Sequence, residues 1–245
     1  MSLKLLPPSM FRALDLLPDS DVPVTLFTRH SLREVVSGQG LAGYDLQLTE
    51  QGRELAYSWG SYLVEHTDRV IQHCISNPIQ RCVDTASLML KGADGVIPDT
   101  STHVIEVIEQ GLLVEPGSFV VDIKQAAPYF KQQGALGFIN SFVNHALPGM
   151  KHPIRGVIDV LELIYNTHPN NKRGLSLAVS HDTILAAIIA VIAGKTQIDQ
   201  ADWPAMMEGL FVWFEGGAFM DCKLKWIWRG ECHELVIREF CQFKT

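Results

Sequence analysis

Hydrophobic positions along this chain fall into two rhythms. Four short runs, Val24–Phe27, Val70–Ser76, Val104–Ile108 and Leu175–Ser180, are dense in β-branched, aliphatic and aromatic residues and predict buried strands. Longer segments carry apolar residues at helical spacing. Thr49 is a candidate N-cap with Glu50 in the first turn, and Leu55, Trp59, Tyr62 and Leu63 then form a core-facing stripe. After the second strand, Pro78 suits a helix start, and the helix continues through Cys82, Thr85, Ala86, Leu88 and Met89 to Gly92. Helices are also expected over Ile154–Thr167 and Thr183–Ala193, the latter stopped by Gly194.

The pattern changes at three places. Residues 1–20, broken by Pro7, Pro8 and Pro18, read as an extended or loosely helical leader. From Ser118 to Pro169 no strand–helix alternation is visible before the Ile154 helix. Gly134, Gly137, Pro148, Gly149 and Pro153 cut that stretch into short helical pieces, and about 116–150 is expected to be an insertion over the site. Its aromatics, Phe119, Tyr129, Phe130, Phe138 and Phe142, are expected to pack the insertion onto the body. Gly209 to Phe243 alternates strand-like runs with turns at Gly216–Gly217 and Arg229–Gly230–Glu231, which predicts two hairpins at one sheet edge. The expected architecture is therefore α/β: a three-layer α/β/α sandwich over residues 1–245, its central sheet mostly parallel, its C-terminal edge strands antiparallel.

Composition narrows the chemistry. At 245 residues the chain suits one sizeable domain, and 47% hydrophobic with 19% charged residues is ordinary for a soluble protein. A net charge of −7 argues against a general attraction to nucleic acid or anionic membrane. Five scattered cysteines with no C-x-x-C pair indicate free thiols in a reducing compartment. The N-terminus lacks the apolar core of a signal peptide, and the longest apolar run, Ile184–Ala193, is too short to span a bilayer. The expectation is a cytoplasmic protein with no nucleic-acid or membrane partner. A homodimer is left open.

Against that acidic background, basic residues gather at strand ends. The first strand ends in Thr28–Arg29–His30, with Arg33 three residues on. Arg81 opens the helix after the second strand, and His181–Asp182 follows Ser180. Ligands of open α/β sheets bind beyond the carboxyl ends of the strands, and tips of adjacent strands, about 5 Å apart, can converge on one ligand. Three guanidiniums and two imidazoles around one point repel each other unless an anion joins them. A phosphate, with its charge and acceptor oxygens, answers that demand. One imidazole can attack phosphorus while the other donates to an equatorial oxygen, and a carboxylic acid is then needed for the leaving alcohol. The nine histidines show no H-x-H or i,i+4 spacing with carboxylates, so no metal site and no cofactor is expected.

Three segments in order, Thr28–Arg29–His30, Ser76–Asn77–Pro78–Ile79–Gln80–Arg81–Cys82–Val83–Asp84–Thr85–Ala86 and Ser180–His181–Asp182, resemble the signature segments of the histidine phosphatase superfamily, of phosphoglycerate-mutase-like fold. The Leu48–Thr49–Glu50–Gln51–Gly52 helix entry is similar as well. The resemblance implies His30 as the phosphorylated nucleophile, Arg29, Arg33 and Arg81 as phosphate ligands, and His181 as the second pocket imidazole. It implies two candidates for the proton donor. Glu115, in Val114–Glu115–Pro116–Gly117, matches the acid-bearing loop of the branch containing phosphatase domains of T-cell-signalling suppressor proteins. Asp182 matches the HD pair of the acid-phosphatase and phytase branch. Glu115 is preferred, because its loop can approach the leaving group. Ser31 departs from the family's usual Gly after the nucleophile.

The expected function is metal-independent hydrolysis of a phosphorylated small molecule or peptide through a phosphohistidine. Alternatives are mutase-type phosphotransfer, or a weakly active phospho-ligand binder in which Ser31 crowds the pocket. The few scattered cations of the insertion, Lys124, Lys131, Lys151 and Arg155, give a heavily phosphorylated substrate little support.

Overall fold

The strand-like runs join one mixed sheet with helices against both faces. The structure is a computed structural model that describes residues 2–34, 43–96, 105–114, 117–169 and 171–242. Its elements run α1 (Pro8–Leu14), β1 (Val24–Arg29), α2 (Glu50–Thr67), β2 (Val70–Ser76), α3 (Gln80–Asp94), β3 (Val107–Glu109), α4 (Ile123–Val143), α5 (Pro153–Asn166), β4 (Gly174–Ser180), α6 (Asp182–Ile192), β5 (Gly209–Glu215), β6 (Lys223–Trp228), β7 (Glu231–Val236) and α7 (Ile237–Gln242). Among the described residues the strand order is β3-β2-β4-β1-β5-β6-β7. The pairs from β3 to β1 are parallel, and those from β1 to β7 antiparallel. The C-terminal hairpins thus close one edge, as their turn chemistry predicts.

Strand side chains alternate between two cores. Val24, Leu26, Leu175, Leu177 and Val179 pack with Leu55, Trp59, Leu63 and Met89 of α2 and α3, and with Met10 of α1. Phe27 and Ala178 point the other way, toward α4, α5 and α6. Every residue of β4 is buried, which accounts for its nearly unbroken apolar run. Thr49 caps α2 as expected, its Oγ1 accepting from Gly52 N at 3.0 Å, a contact of about 1 kcal/mol. α2 and α3 approach backbone to backbone, since a Cβ on Gly60 would stand 2.0 Å from the Met89 carbonyl oxygen. That contact sets the position of α3 and hence of Arg81.

The topology places a crevice where the sequence reading puts the ligand. β4 lies between β2 and β1. The helix after β4 leaves to one face, while those after β1 and β2 leave to the other. Neighbouring strands whose helices diverge open a cleft at their carboxyl ends.

Some details differ from the sequence reading. The leader contains a folded helix, α1, and buries Leu6, Met10 and Ala13 in the core, because those residues form an apolar stripe between the prolines. The third strand is Val107–Glu109, shifted toward its pairing partner β2. Within α4 two helical pieces meet at Gly134 (φ 66°, ψ 179°), a non-helical residue that breaks the helix as the sequence predicts, whereas Gly137 breaks nothing and the second piece runs on to Val143. Val104, residues 35–42 and Glu115 lie outside the described residues. No helix among the described residues is long and apolar enough to cross a membrane.

Candidate active site

Three strand ends meet beneath one cavity of about 600 Å³. Backbone bonds hold the ends together: His30 N donates to Ser180 O at 3.0 Å, and Asn77 N to Val179 O at 2.9 Å. The His30 and His181 rings then stand edge to face, 5.2 Å apart. Arg81 bridges them, with Nε 3.3 Å from His30 Nε2 and Nη2 2.7 Å from His181 Nε2. All three side chains are buried, yet all three line the cavity. The convergence read from the sequence is present.

His30 is held in one tautomer. Its Nδ1 lies 2.7 Å from the Ser31 carbonyl oxygen, which can only accept, so Nδ1 carries the proton. Nε2 therefore presents a lone pair, and Arg81 Nε donates toward it. Burial, then the neighbouring His181 ring and the Arg29 charge, hold His30 well below the usual imidazole value. The ring is neutral at pH 7, the state a nucleophile needs.

His181 is fixed by a second network. Asn77 Oδ1 accepts from Ile79 N at 2.8 Å, which orients the amide so that Nδ2 donates to Leu113 O at 2.6 Å and faces His181 Nδ1 at 3.1 Å. Both ring nitrogens thus meet donors, Asn77 Nδ2 on one side and Arg81 Nη2 on the other. A neutral imidazole has one lone pair and one N–H, and Cys82 Sγ, 3.6 Å from Nδ1 and 4.0 Å from Nε2, is an acceptor within reach of that proton. An anionic oxygen placed between Arg81 and His181 can accept from the guanidinium and, in the tautomer protonated at Nε2, from the ring as well. Burial, followed by the Arg81 charge, lowers His181 to about 3.

The other candidates are placed as follows. Arg29 lines the cavity, but its Nη1 donates to Pro204 O at 2.7 Å and its Nη2 pairs with Asp182 Oδ2 at 2.5 Å. It therefore positions two other walls of the site as well as adding charge. Arg33 is at the rim, with Nη1 on Glu34 O at 2.7 Å. Asp182 lines the cavity, its Oδ1 accepting from Thr183 N at 2.9 Å. Glu115 lies outside the described residues, but the chain on either side is anchored here. Leu113 O accepts from Asn77 and from Ser180 Oγ, and Ser118 Oγ donates to Leu112 O.

Ser31 does not crowd the pocket. Its Oγ turns to the start of α2 and donates to Gly52 O at 2.7 Å, while its backbone N donates to Thr85 Oγ1 at 3.0 Å. Thr85 Oγ1 in turn donates to Arg81 O at 2.7 Å, so this residue links the turn after His30 to the helix that carries Arg81.

Of the five insertion aromatics, Phe119 and Phe142 are core, as expected, and Tyr129 packs against it. Phe130 and Phe138 pack on each other and also line the cavity. Sequence reasoning did not single out Asn77 itself as the orienter of His181; the Asn-Pro turn signal marked the position but not its task. It also passed over Thr183, Gln200 and Trp203, which line the cavity and carry no local motif.

Comparison with known proteins agrees with this geometry. The model of the histidine phosphatase superfamily (branch 1) matches residues 25–109, a span that holds Arg29, His30, Arg33 and Arg81. No curated protein matches the chain. Among solved structures, a mycobacterial hydrolase superposes with a TM-score of 0.55 at 15% identity, covering 85% of this chain and 98% of the other. A mycobacterial glucosyl-3-phosphoglycerate phosphatase gives 0.54 at 18%, covering 86% and 100%. YhfR of Bacillus stearothermophilus gives 0.51 at 16%, covering 79% and 92%. The resemblance read from the three segments stands, and the fold is that of the histidine phosphatases.

Proposed function

We propose that this chain, which carries the histidine phosphatase fold, hydrolyses phosphomonoesters through a phosphohistidine on Nε2 of His30. The observation that carries this reading is the Arg81 bridge: one buried guanidinium joins a lone-pair-bearing imidazole to a second imidazole at the same end of the cavity. A phosphoryl group placed there meets nucleophile and charge at once.

In the first step Nε2 forms a bond to phosphorus as the P–O bond to the alcohol breaks, and the departing oxygen takes a proton from a carboxylic acid. The positive character that develops on the ring is stabilised by the Ser31 carbonyl at Nδ1. Water then attacks phosphorus with the same carboxyl as base, the P–N bond breaks, and phosphate leaves. Glu115 is the preferred acid, since the residues flanking it are tied to Ser180, to each other and to Asn77, which meets His181. Asp182, already paired with Arg29, is the second candidate. Guanidiniums and imidazoles supply the charge compensation, so turnover is expected to survive chelator. In this reading residues 1–245 form one domain, and about 116–150 is the insertion that faces the substrate.

Phosphate release from a panel of phosphoesters tests the proposal. His30→Ala is expected to lose about 10³-fold or more, as removal of a covalent nucleophile does. Comparing Glu115→Gln with Asp182→Asn assigns the acid. The true donor's variant loses far more activity on alkyl esters than on nitrophenyl phosphate, whose leaving group needs no proton. Phosphate release that His30→Ala leaves intact overturns the reading, and isomerised phosphoglycerate without free phosphate turns it toward a mutase.

A further inference from the structure

The cradle occupies only one end of the cavity. The rest is walled by α4, with Ile123, Phe130, Leu136 and Phe138, and by the segment before β5, with Trp203. Ile123 is 53% exposed, a large apolar side chain left facing water beside a cationic pocket. Phe130, Leu136 and Trp203 are half-buried, with part of each facing the cavity. This wall is rigidly built on one side: Pro204 O is held by Arg29, and Trp203 O by Arg229 Nη2 at 3.1 Å. Arg229 is itself paired with the buried Glu208 at 3.0 Å.

Few polar groups reach the same space. Outside the cradle the polar side chains are Tyr44, Lys131, Gln133, Thr183 and Gln200, fewer than the apolar ones, and Gln133 Oε1 already accepts from Ser141 Oγ at 2.8 Å. A sugar or glycerol body would lose water from several hydroxyls and recover few hydrogen bonds here, which is a costly exchange. An apolar body would lose nothing and would cover the exposed side chains. The volume, about 600 Å³, suits a small molecule rather than a protein surface, since small-ligand sites span roughly 300–1,000 Å³.

We propose that the substrates are small phosphomonoesters of apolar alcohols, with an alkyl or aryl body attached close to the ester oxygen and seated against Ile123, Phe130, Leu136, Phe138 and Trp203. The proposal rests on the phosphatase reading above and names the leaving-group class for that same site.

The test compares 2-phenylethyl phosphate and n-hexyl phosphate with glycerol 1-phosphate and glucose 6-phosphate, all esters of primary alcohols. The apolar esters are expected to have kcat/KM about tenfold or more higher, the difference residing in KM, as burial of a side-chain-sized apolar group implies. Ile123→Ser, at an exposed position that should tolerate the change, is expected to reduce that ratio about threefold; Leu136→Ser reduces it further. A ratio near one or below, with turnover still dependent on His30, overturns this inference and leaves the phosphatase reading standing. If no ester is hydrolysed, the phosphatase reading fails by itself. Calorimetric binding of 2-phenylethylphosphonate against 2,3-dihydroxypropylphosphonate then decides the wall's role, and equal affinities overturn it.

Discussion

Ser31 shows how much one side chain's direction matters. From the sequence alone its hydroxyl either fills the space beside the nucleophile or joins the ligand. In the structure it does neither, because Gly52 O is within reach on the far side of the loop. Ser31→Gly is therefore expected to keep kcat/KM within about threefold while lowering stability by about 1 kcal/mol, the usual cost of one lost internal hydrogen bond, read from urea unfolding. A large gain in activity would contradict this. The buried histidines make a second prediction. His30, His181 and His168 all bind protons less readily folded than unfolded, His181 at about 3 and His168 at about 4 against an ordinary value near 6.5. Below pH 6.5 the unfolded chain thus takes up more protons than the folded one, and stability falls as pH is lowered. The slope is up to about 1.4 kcal/mol per pH unit for each histidine, and it flattens above pH 7. Unfolding at pH 7.5, 6 and 5 measures it, and His181→Asn is expected to make the slope shallower.

At the scale of elements, α4 owes its shape to Gly134. That residue adopts φ 66° and ψ 179°, a region almost closed to residues with a Cβ, and the bend folds the helix's apolar side along the cavity. Nothing lies within 4 Å of the Cβ that an alanine would add, so Gly134→Ala tests backbone strain alone. A loss of about 1–3 kcal/mol in stability is expected, with a raised KM as the wall shifts and little change in kcat. This helix also marks a limit of sequence reading. Strands β1, β2 and β4 were legible because their apolar runs end in abrupt charge, and α2 because Thr49 and its stripe agree. Gly134 reads as a break and is one, but Gly137 reads as another, and the helix runs on through it to Val143. The lining role of Trp203 was illegible for a different reason: it depends on Arg29 and Arg229 grasping neighbouring carbonyls, contacts between distant segments that no local pattern records. Asp182 and Arg29 were both singled out, but their pairing was not foreseen.

For the whole molecule, a chain of net charge −7 must gather cations at one point to attract phosphate. The folded state alone has that point, so orthovanadate or phosphate should stabilise it. At a hundred times Kd the gain is about 2.7 kcal/mol, or roughly 5–10 °C in Tm for a chain of this size. Arg81→Ala is expected to abolish the shift, and a melt unmoved by either anion would count against the cradle. The strand order carries a last consequence, for synthesis on the ribosome. β1 and β2 emerge early, yet the strand that separates them, β4, starts only at Gly174. Until that segment clears the exit tunnel, Arg29, at the end of β1, and Arg81, on the helix that follows β2, belong to strands that have no common neighbour. A nascent chain halted before Gly174 should therefore be blind to vanadate, and competence should arrive abruptly with the strand that leads into His181.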